Sequence, residues 1–188
     1  MSRPTVAVFG SSQTDPGTDD WEDAQRAGRR LAQAGLDVVT GGYGGTMEAV
    51  SRGAAEAGGH VIGITAPTLF PARSGANPFV SELVEASSLA HRIDLMMQRA
   101  TATLALPGSI GTAAELVISW NTNHIRRRSG ESLLPAAAVG PGWKTVRRAL
   151  VAAAGAVEGD IYWADSADDA VDWLLATGPE PPSGQRTT

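Results

Sequence analysis

Along most of the chain, short apolar runs alternate with stretches of helical period. The runs are "TVAVFG" (5–10), "LDVVT" (36–40), "HVIGIT" (60–65), "ATLALP" (102–107), "PAAAVG" (135–140) and "IYWA" (161–164). Most lack polar alternation, the pattern of strands covered on both faces. Between them the apolar positions recur at helical spacing. Trp21, Ala24, Ala27 and Leu31 mark one face of a helix that Asp19 and Glu22 open in the manner of a capping box and Gly35 closes. A second helix is predicted from about Gly45 to Ala57, with Met47, Val50 and Ala54 inward. Further helices are expected over about Ser88–Ala100, Gly111–His124 and Trp143–Ala154. A sixth begins at Ser166 with Asp169 and ends at Gly178. Strand-helix alternation of this kind predicts an α/β, Rossmann-like, doubly wound parallel sheet with helices on both faces. One domain is expected over 1–178. The Pro/Gly-rich end, 179–188, reads as a loose tail.

In such sheets ligands bind beyond the C-terminal ends of the strands. Three loops fall at that rim: "FGSSQTDPG" after the first run, "TGGYGGTMEA" after the second and "LPGSIGTAAE" after the run at 102–107. The last two lead into helix N-termini, which offer free N–H groups and partial positive charge, and glycine lets an anion approach the backbone. Gly44, Gly45 and Thr46 in one loop, Gly108, Ser109, Gly111 and Thr112 in another, and Ser11 in the first are therefore the candidate phosphate- or nucleotide-binding residues. The dinucleotide fingerprint is broken, because Met47 stands where G-x-G-x-x-G needs glycine. "GPGWKT" (140–145) is no Walker loop either, and Trp143 reads as a packing residue.

Glu115 lies one turn into the helix opened by the third loop. A carboxylate held there sits a fixed distance from an anchored phosphate. It can then stabilise an oxocarbenium-like ribose and orient a water, or instead grip the ribose hydroxyls. The structural alternative is a helix-dipole partner, worth about 0.3–1 kcal/mol. Arg92 is permanently cationic and can hold a phosphate or lie beside a leaving base. His91 borders it, while His60 reads as structural and His124 with Arg126, Arg127 and Arg128 as a solvated basic helix end.

Composition removes other classes. A net charge of −5 and a pI near 5.1 argue against nucleic-acid partners and against adhesion to membranes. The absence of cysteine rules out thiol chemistry and Cys-ligated zinc, and no spacing of His, Asp and Glu suggests a metal site. The start of the chain shows no signal-peptide pattern, so a cytoplasmic protein is expected.

The blocks "VAVFGSS", "TGGYGGTMEAVSRGAAEAGGHVIGIT" and "HRIDLMMQRATATLALPGSIGTAAELVISW" resemble those of the LOG ("lonely guy") family, long mislabelled lysine decarboxylases. The resemblance covers roughly residues 5–120. It implies a Rossmann-like fold, a homodimer and hydrolysis of cytokinin riboside 5′-monophosphates, and often of AMP, to free base and ribose 5-phosphate, with no cofactor. Pro107, Gly108, Gly111, Thr112 and Glu115 fill the family's "PGG-x-GT-x-x-E" signature. Arg92 and Glu115 are then the catalytic pair, and Met96 and Trp120 match further family positions. This chain departs at Ser109, glycine in the family, and at Ile93, which replaces the lysine of an Arg-Lys pair. Beyond Trp120 it leaves the usual pattern. A decarboxylase using pyridoxal needs a Schiff-base lysine, and the one lysine, Lys144, lies away from the loops. The other reading is a non-catalytic nucleotide-binding or molybdenum-cofactor carrier protein on the same fold. The dimer is expected through the Arg92 and Glu115 helices, which carry Leu89, Met96, Met97, Val117 and Trp120.

Overall fold

The computed structural model describes residues 3–73 and 75–179. Residues 180–188, most of the predicted tail, lie outside the described residues. Seven strands form one all-parallel sheet: β1 (Thr5–Phe9), β2 (Asp37–Thr40), β3 (Val61–Thr65), β4 (Glu82–Glu85), β5 (Ala102–Ala105), β6 (Ala136–Val139) and β7 (Tyr162–Ala164). Their order is β4-β3-β2-β1-β5-β6-β7. Six helices cover it: α1 (Asp19–Gln33), α2 (Thr46–Glu56), α3 (Leu89–Arg99), α4 (Ile110–Arg128), α5 (Pro141–Ala154) and α6 (Ala167–Thr177).

The apolar runs form strands because both faces of the sheet are covered. On β1, Val6 and Val8 join Trp21, Leu31 and Val50 in the core beneath α1, α2 and α6. Ala7 and Phe9 point the other way, into a second core with Met96, Leu116, Trp120 and Trp143. This is the period-2 alternation of a strand with an apolar residue at every position.

Three expectations need correction, and one strand lies outside the six apolar runs. That strand, β4, "ELVE", is at the sheet edge, with three of its four residues exposed; charged side chains are common on edge strands. The α1 cap is Thr18, whose hydroxyl accepts from the Trp21 N–H, one residue before the expected start. α4 continues four residues past His124 to Arg128. Its basic end is also not simply solvated, because Arg127 donates to the buried Asp160 carboxylate.

The strand order reverses at the β1–β5 pair: β1 is flanked by β2 on one side and β5 on the other, both parallel to it. That is the crevice where doubly wound sheets take ligands. The loops after β1, β2 and β5 meet there. Ser11 stitches them together: its N–H donates to the Pro107 carbonyl (3.3 Å) and its own carbonyl accepts from the Thr46 N–H (2.8 Å).

Candidate active site

A cavity of about 290 Å³ opens at this crevice. Glu115 and Arg92 lie in its wall, with Ser109, Gly111 and Thr112 at its α4 edge. Arg92 reaches in from α3 through the core side of the sheet and is only 6% exposed. Its Nε donates to the Ile64 carbonyl (2.7 Å) and its Nη2 to the Gly41 carbonyl (3.0 Å). A Cβ on Gly41 would stand 1.6 Å from Nη2, so the glycine is what lets the guanidinium dock. Arg92 Nη1 lies 3.6 Å from Glu115 Oε1.

Glu115 is buried on the second turn of α4. Loss of solvent pushes its carboxyl pKa up to about 7, against the opposing pull of Arg92. Burial likewise lowers the Arg92 pKa, and Glu115 raises it again. An arginine remains a cation throughout. The pair is therefore a fixed positive charge beside a carboxyl that exchanges its proton near neutrality.

The α4 N-terminus is open. Ser109 occupies the N-cap position in extended conformation (φ −100°, ψ −166°), and its side chain makes no capping bond. The first N–H groups of a helix have no partner within it. The Thr112 hydroxyl is fully buried with no hydrogen-bond partner among the described residues. Gly108 makes room for it, since a Cβ there would lie 2.2 Å from Thr112 Oγ1. By contrast a Cβ on Gly111 would meet nothing within 4 Å. The fold leaves space at that position beside the cavity.

The α2 loop turns out differently. Gly45 adopts φ +71° as the N-cap, and a Cβ on it would lie 2.4 Å from the Ser11 carbonyl. Thr46 is buried, its N–H taken by that carbonyl and its hydroxyl paired with the Thr14 hydroxyl at 2.8 Å. Gly44 borders an adjoining cavity with Glu48, and Ser11 borders a third with Gly108 and Ser109. So Arg92, Glu115, Ser109, Gly111 and Thr112 come together in the central cavity, with Gly108 just behind. Gly44, Gly45, Thr46 and Ser11 surround it without entering. His91 is exposed and paired through its ring with Ser87, and His60 contacts Glu82 on the surface. Met96 and Trp120, expected at a dimer face, are buried in the second core, where Trp120 donates to the Val157 carbonyl. Among the described residues no group of three or more His, Asp or Glu side chains is arranged to hold a metal.

Sequence reasoning placed the loop of Gly10 and Ser12 at this rim but missed Phe70 and Arg73, which come from the loop between β3 and β4. The glycines of "TGGYGG" carried the usable signal: Gly41 is there for Arg92, and the Tyr43 hydroxyl accepts from the Ala66 N–H where that loop begins.

Residues 3–125 match the SLOG cluster4 family. The chain belongs to this family. Among curated relatives of this SLOG cluster4 member, a cytokinin riboside 5′-monophosphate phosphoribohydrolase of Rhodococcoides fascians is 32% identical over 127 residues, 64% of each chain. A protein of that activity from rice, Oryza sativa subsp. japonica, is 38% identical over 100 residues, 52% of this chain and 41% of its own. The pyrimidine/purine nucleotide 5′-monophosphate nucleosidase of Escherichia coli is 34% identical over 103 residues, 50% of this chain but 22% of that one. The match thus spans less than two thirds of each relative. Among solved structures, the molybdenum cofactor binding protein of Rippkaea orientalis superposes with a TM-score of 0.74 at 20% identity, covering 94% of this chain and 98% of its own. The molybdenum cofactor carrier protein of Chlamydomonas reinhardtii gives 0.69 at 21% identity, covering 93% and 98%. These two likenesses establish the shared fold.

Proposed function

We propose that this protein hydrolyses the N-glycosidic bond of nucleoside 5′-monophosphates, with adenine or cytokinin bases, releasing the base and ribose 5-phosphate. The observation that carries the reading is the position of Glu115: a buried carboxyl of pKa about 7, inside a cavity and one turn beyond an open helix N-terminus. The names of the relatives at 32–38% identity support the same chemistry.

In this reading the 5′-phosphate docks on the free N–H groups of α4, with the Thr112 hydroxyl beside it. Binding energy from the phosphate, remote from the reacting bond, holds the ribose over Glu115. The bond from C1′ to the base nitrogen breaks, and its electron pair leaves with the base. Positive charge grows on C1′ and the ring oxygen, where the Glu115 carboxylate stabilises it. Water then attacks C1′ and Glu115 accepts its proton, a task suited to a group titrating near neutrality; that proton is passed on through solvent and the departed base nitrogen takes one up, which restores the carboxylate. Arg92 tilts Glu115 toward its ionised form and is itself held by two backbone carbonyls.

Incubation with AMP and with isopentenyladenosine 5′-monophosphate tests this, with free base and ribose 5-phosphate expected in equal amounts. Tight nucleotide binding without release of base would instead favour a carrier, the role named for the solved proteins that share the fold.

A further inference from the structure

Two arginines face the central cavity, and they are bonded in opposite ways. Arg92 is spent on the Ile64 and Gly41 carbonyls and lies beside Glu115. Arg73 has one long hydrogen bond, from Nη2 to the Ser12 hydroxyl at 3.3 Å, and no ion pair among the described residues. Its guanidinium carbon stands 4.2 Å from the centre of the Phe70 ring and 4.7 Å from that of Tyr43. Cation–π contact is an electrostatic attraction to the ring and does not by itself use up the five N–H donors of a guanidinium. Most of those donors are unspent, and the group borders both the central cavity and the adjoining one beside Gly44.

The loop that carries Arg73 is pinned to the α2 loop at both ends. The Ala66 N–H donates to the Tyr43 hydroxyl at one end (2.8 Å). At the other, the Asn77 side-chain amide donates to the Tyr43 carbonyl (3.0 Å) and the Asn77 N–H to the Gly42 carbonyl (2.7 Å). Asn77 is buried. Arg73 is therefore held over the cavity by a built support, opposite the uncapped start of α4 and the unpartnered Thr112 hydroxyl. Two cations and one carboxylate share this space, a net charge of +1 that favours an anionic ligand.

We propose that Arg73 is a specificity-determining residue that grips the ligand's phosphate monoester from the side opposite α4, while Arg92 is a positioning residue for Glu115. The two arginines thus divide the work: one meets the anion, the other holds the carboxylate. The assignment rests on the nucleoside monophosphate reading for its ligand but concerns binding rather than bond cleavage. A planar fork suits a phosphate, and a lysine would keep the charge while losing both the fork and the stacking.

The test is calorimetric titration of wild type, Arg73→Gln and Arg73→Lys with AMP, ribose 5-phosphate and adenosine. Thermal melts serve to confirm that each variant folds. Arg73→Gln is expected to weaken AMP and ribose 5-phosphate by roughly thirtyfold or more, the range of a lost charge-assisted bond, and to leave adenosine within about twofold. Arg73→Lys should fall between. An equal loss for adenosine would place Arg73 at the sugar or base and overturn the assignment, as would unchanged AMP binding in a folded Arg73→Gln protein. Wild type that binds AMP in this Arg73-dependent way yet releases no base would uphold the anchor and sink the hydrolase reading. Wild type that binds neither phosphorylated ligand would sink both.

Discussion

Two glycine-bearing segments lead into helices on the same rim, and both end in Gly-Thr: "GGYGGT" (41–46) at the start of α2 and "PGSIGT" (107–112) at the start of α4. At α2 the first helical N–H is given to the Ser11 carbonyl and the threonine hydroxyl to Thr14. At α4 no side chain caps the helix and the threonine hydroxyl is buried without a partner. If α4 binds the phosphate as proposed, what separates it from the structural turn at α2 is not the glycines. It is whether another part of the chain already occupies the donors. Folding normally satisfies buried polar groups, and of the five residues with such an unpartnered side-chain atom among those described, Thr112 is the one in the wall of the central cavity.

The carboxylate behind the open cradle should show the largest effects, and they run in opposite directions. Glu115→Gln is expected to bind AMP but to lose at least about a hundredfold in turnover, near 2.7 kcal/mol of transition-state stabilisation. Near-wild-type rates would remove Glu115 from the chemistry. In wild type, kcat/KM should rise with pH through an apparent pKa of about 7 as the carboxyl ionises. Stability moves the other way. The folded protein keeps the Glu115 proton up to about pH 7, whereas an unfolded chain releases it near 4.5. Wild-type stability should therefore fall as pH rises between those values. Glu115→Gln carries no such penalty. It should unfold like wild type at about pH 4 and be more stable at about pH 8, by roughly 3 kcal/mol. Denaturant titrations at the two pH values check this, and equal stability at both would mean the carboxyl is not strained by burial.

The glycines provide the next contrast. Gly45→Ala forces a side chain into positive φ and against the Ser11 carbonyl, and should cost about 2–3 kcal/mol of stability. Gly111→Ala adds a methyl to open space inside a helix and should stabilise the free protein by about 0.5–1 kcal/mol. If the space belongs to the ligand, the same change weakens AMP binding. A destabilised Gly111→Ala, or one that binds AMP normally, would erase the distinction between the loops.

The central strands and most helix limits were legible in the sequence because burial on both faces leaves an unbroken apolar record. β4 left none: at the sheet edge, its Glu82 and Glu85 are what a surface turn would also carry. Glu115 could be placed because its distance from the loop is set by helical geometry within one segment. Arg92 could be picked out but not its burial, which depends on carbonyls 28 and 51 residues away. Arg73 was illegible for the same reason. Its meaning comes largely from Tyr43 and Ser12, 30 and 61 residues away, and no local period records such contacts.

Smaller effects separate the two threonines. Thr112→Val removes an unpartnered hydroxyl at little cost to the fold and should weaken AMP binding by roughly tenfold to thirtyfold, the loss of a bond to a charged group. Thr46→Val breaks the pair with Thr14, so it should cost about 1 kcal/mol of stability and leave AMP affinity unchanged. Chemical unfolding and titration of both variants check the crossed pattern. A loss of affinity in Thr46→Val would reopen the α2 loop as a binding element.

The smallest effect is expected at Ser109, where this chain departs from the family's glycine. The residue keeps a negative φ, so the loop does not depend on left-handed backbone there and stores no strain in that form. Its hydroxyl caps nothing and stands at the lip of the central cavity. It is free to donate to a phosphate in a way that glycine cannot. Ser109→Gly should therefore weaken AMP by no more than about tenfold, 1.4 kcal/mol, and leave adenosine nearly unchanged. An equal loss for both ligands would put the hydroxyl at the sugar or base. Tighter AMP binding in the variant would mean that the serine narrows the cradle. The open helix end would then be a less complete phosphate site than its free donors suggest, and the balance between enzyme and carrier would shift toward the carrier.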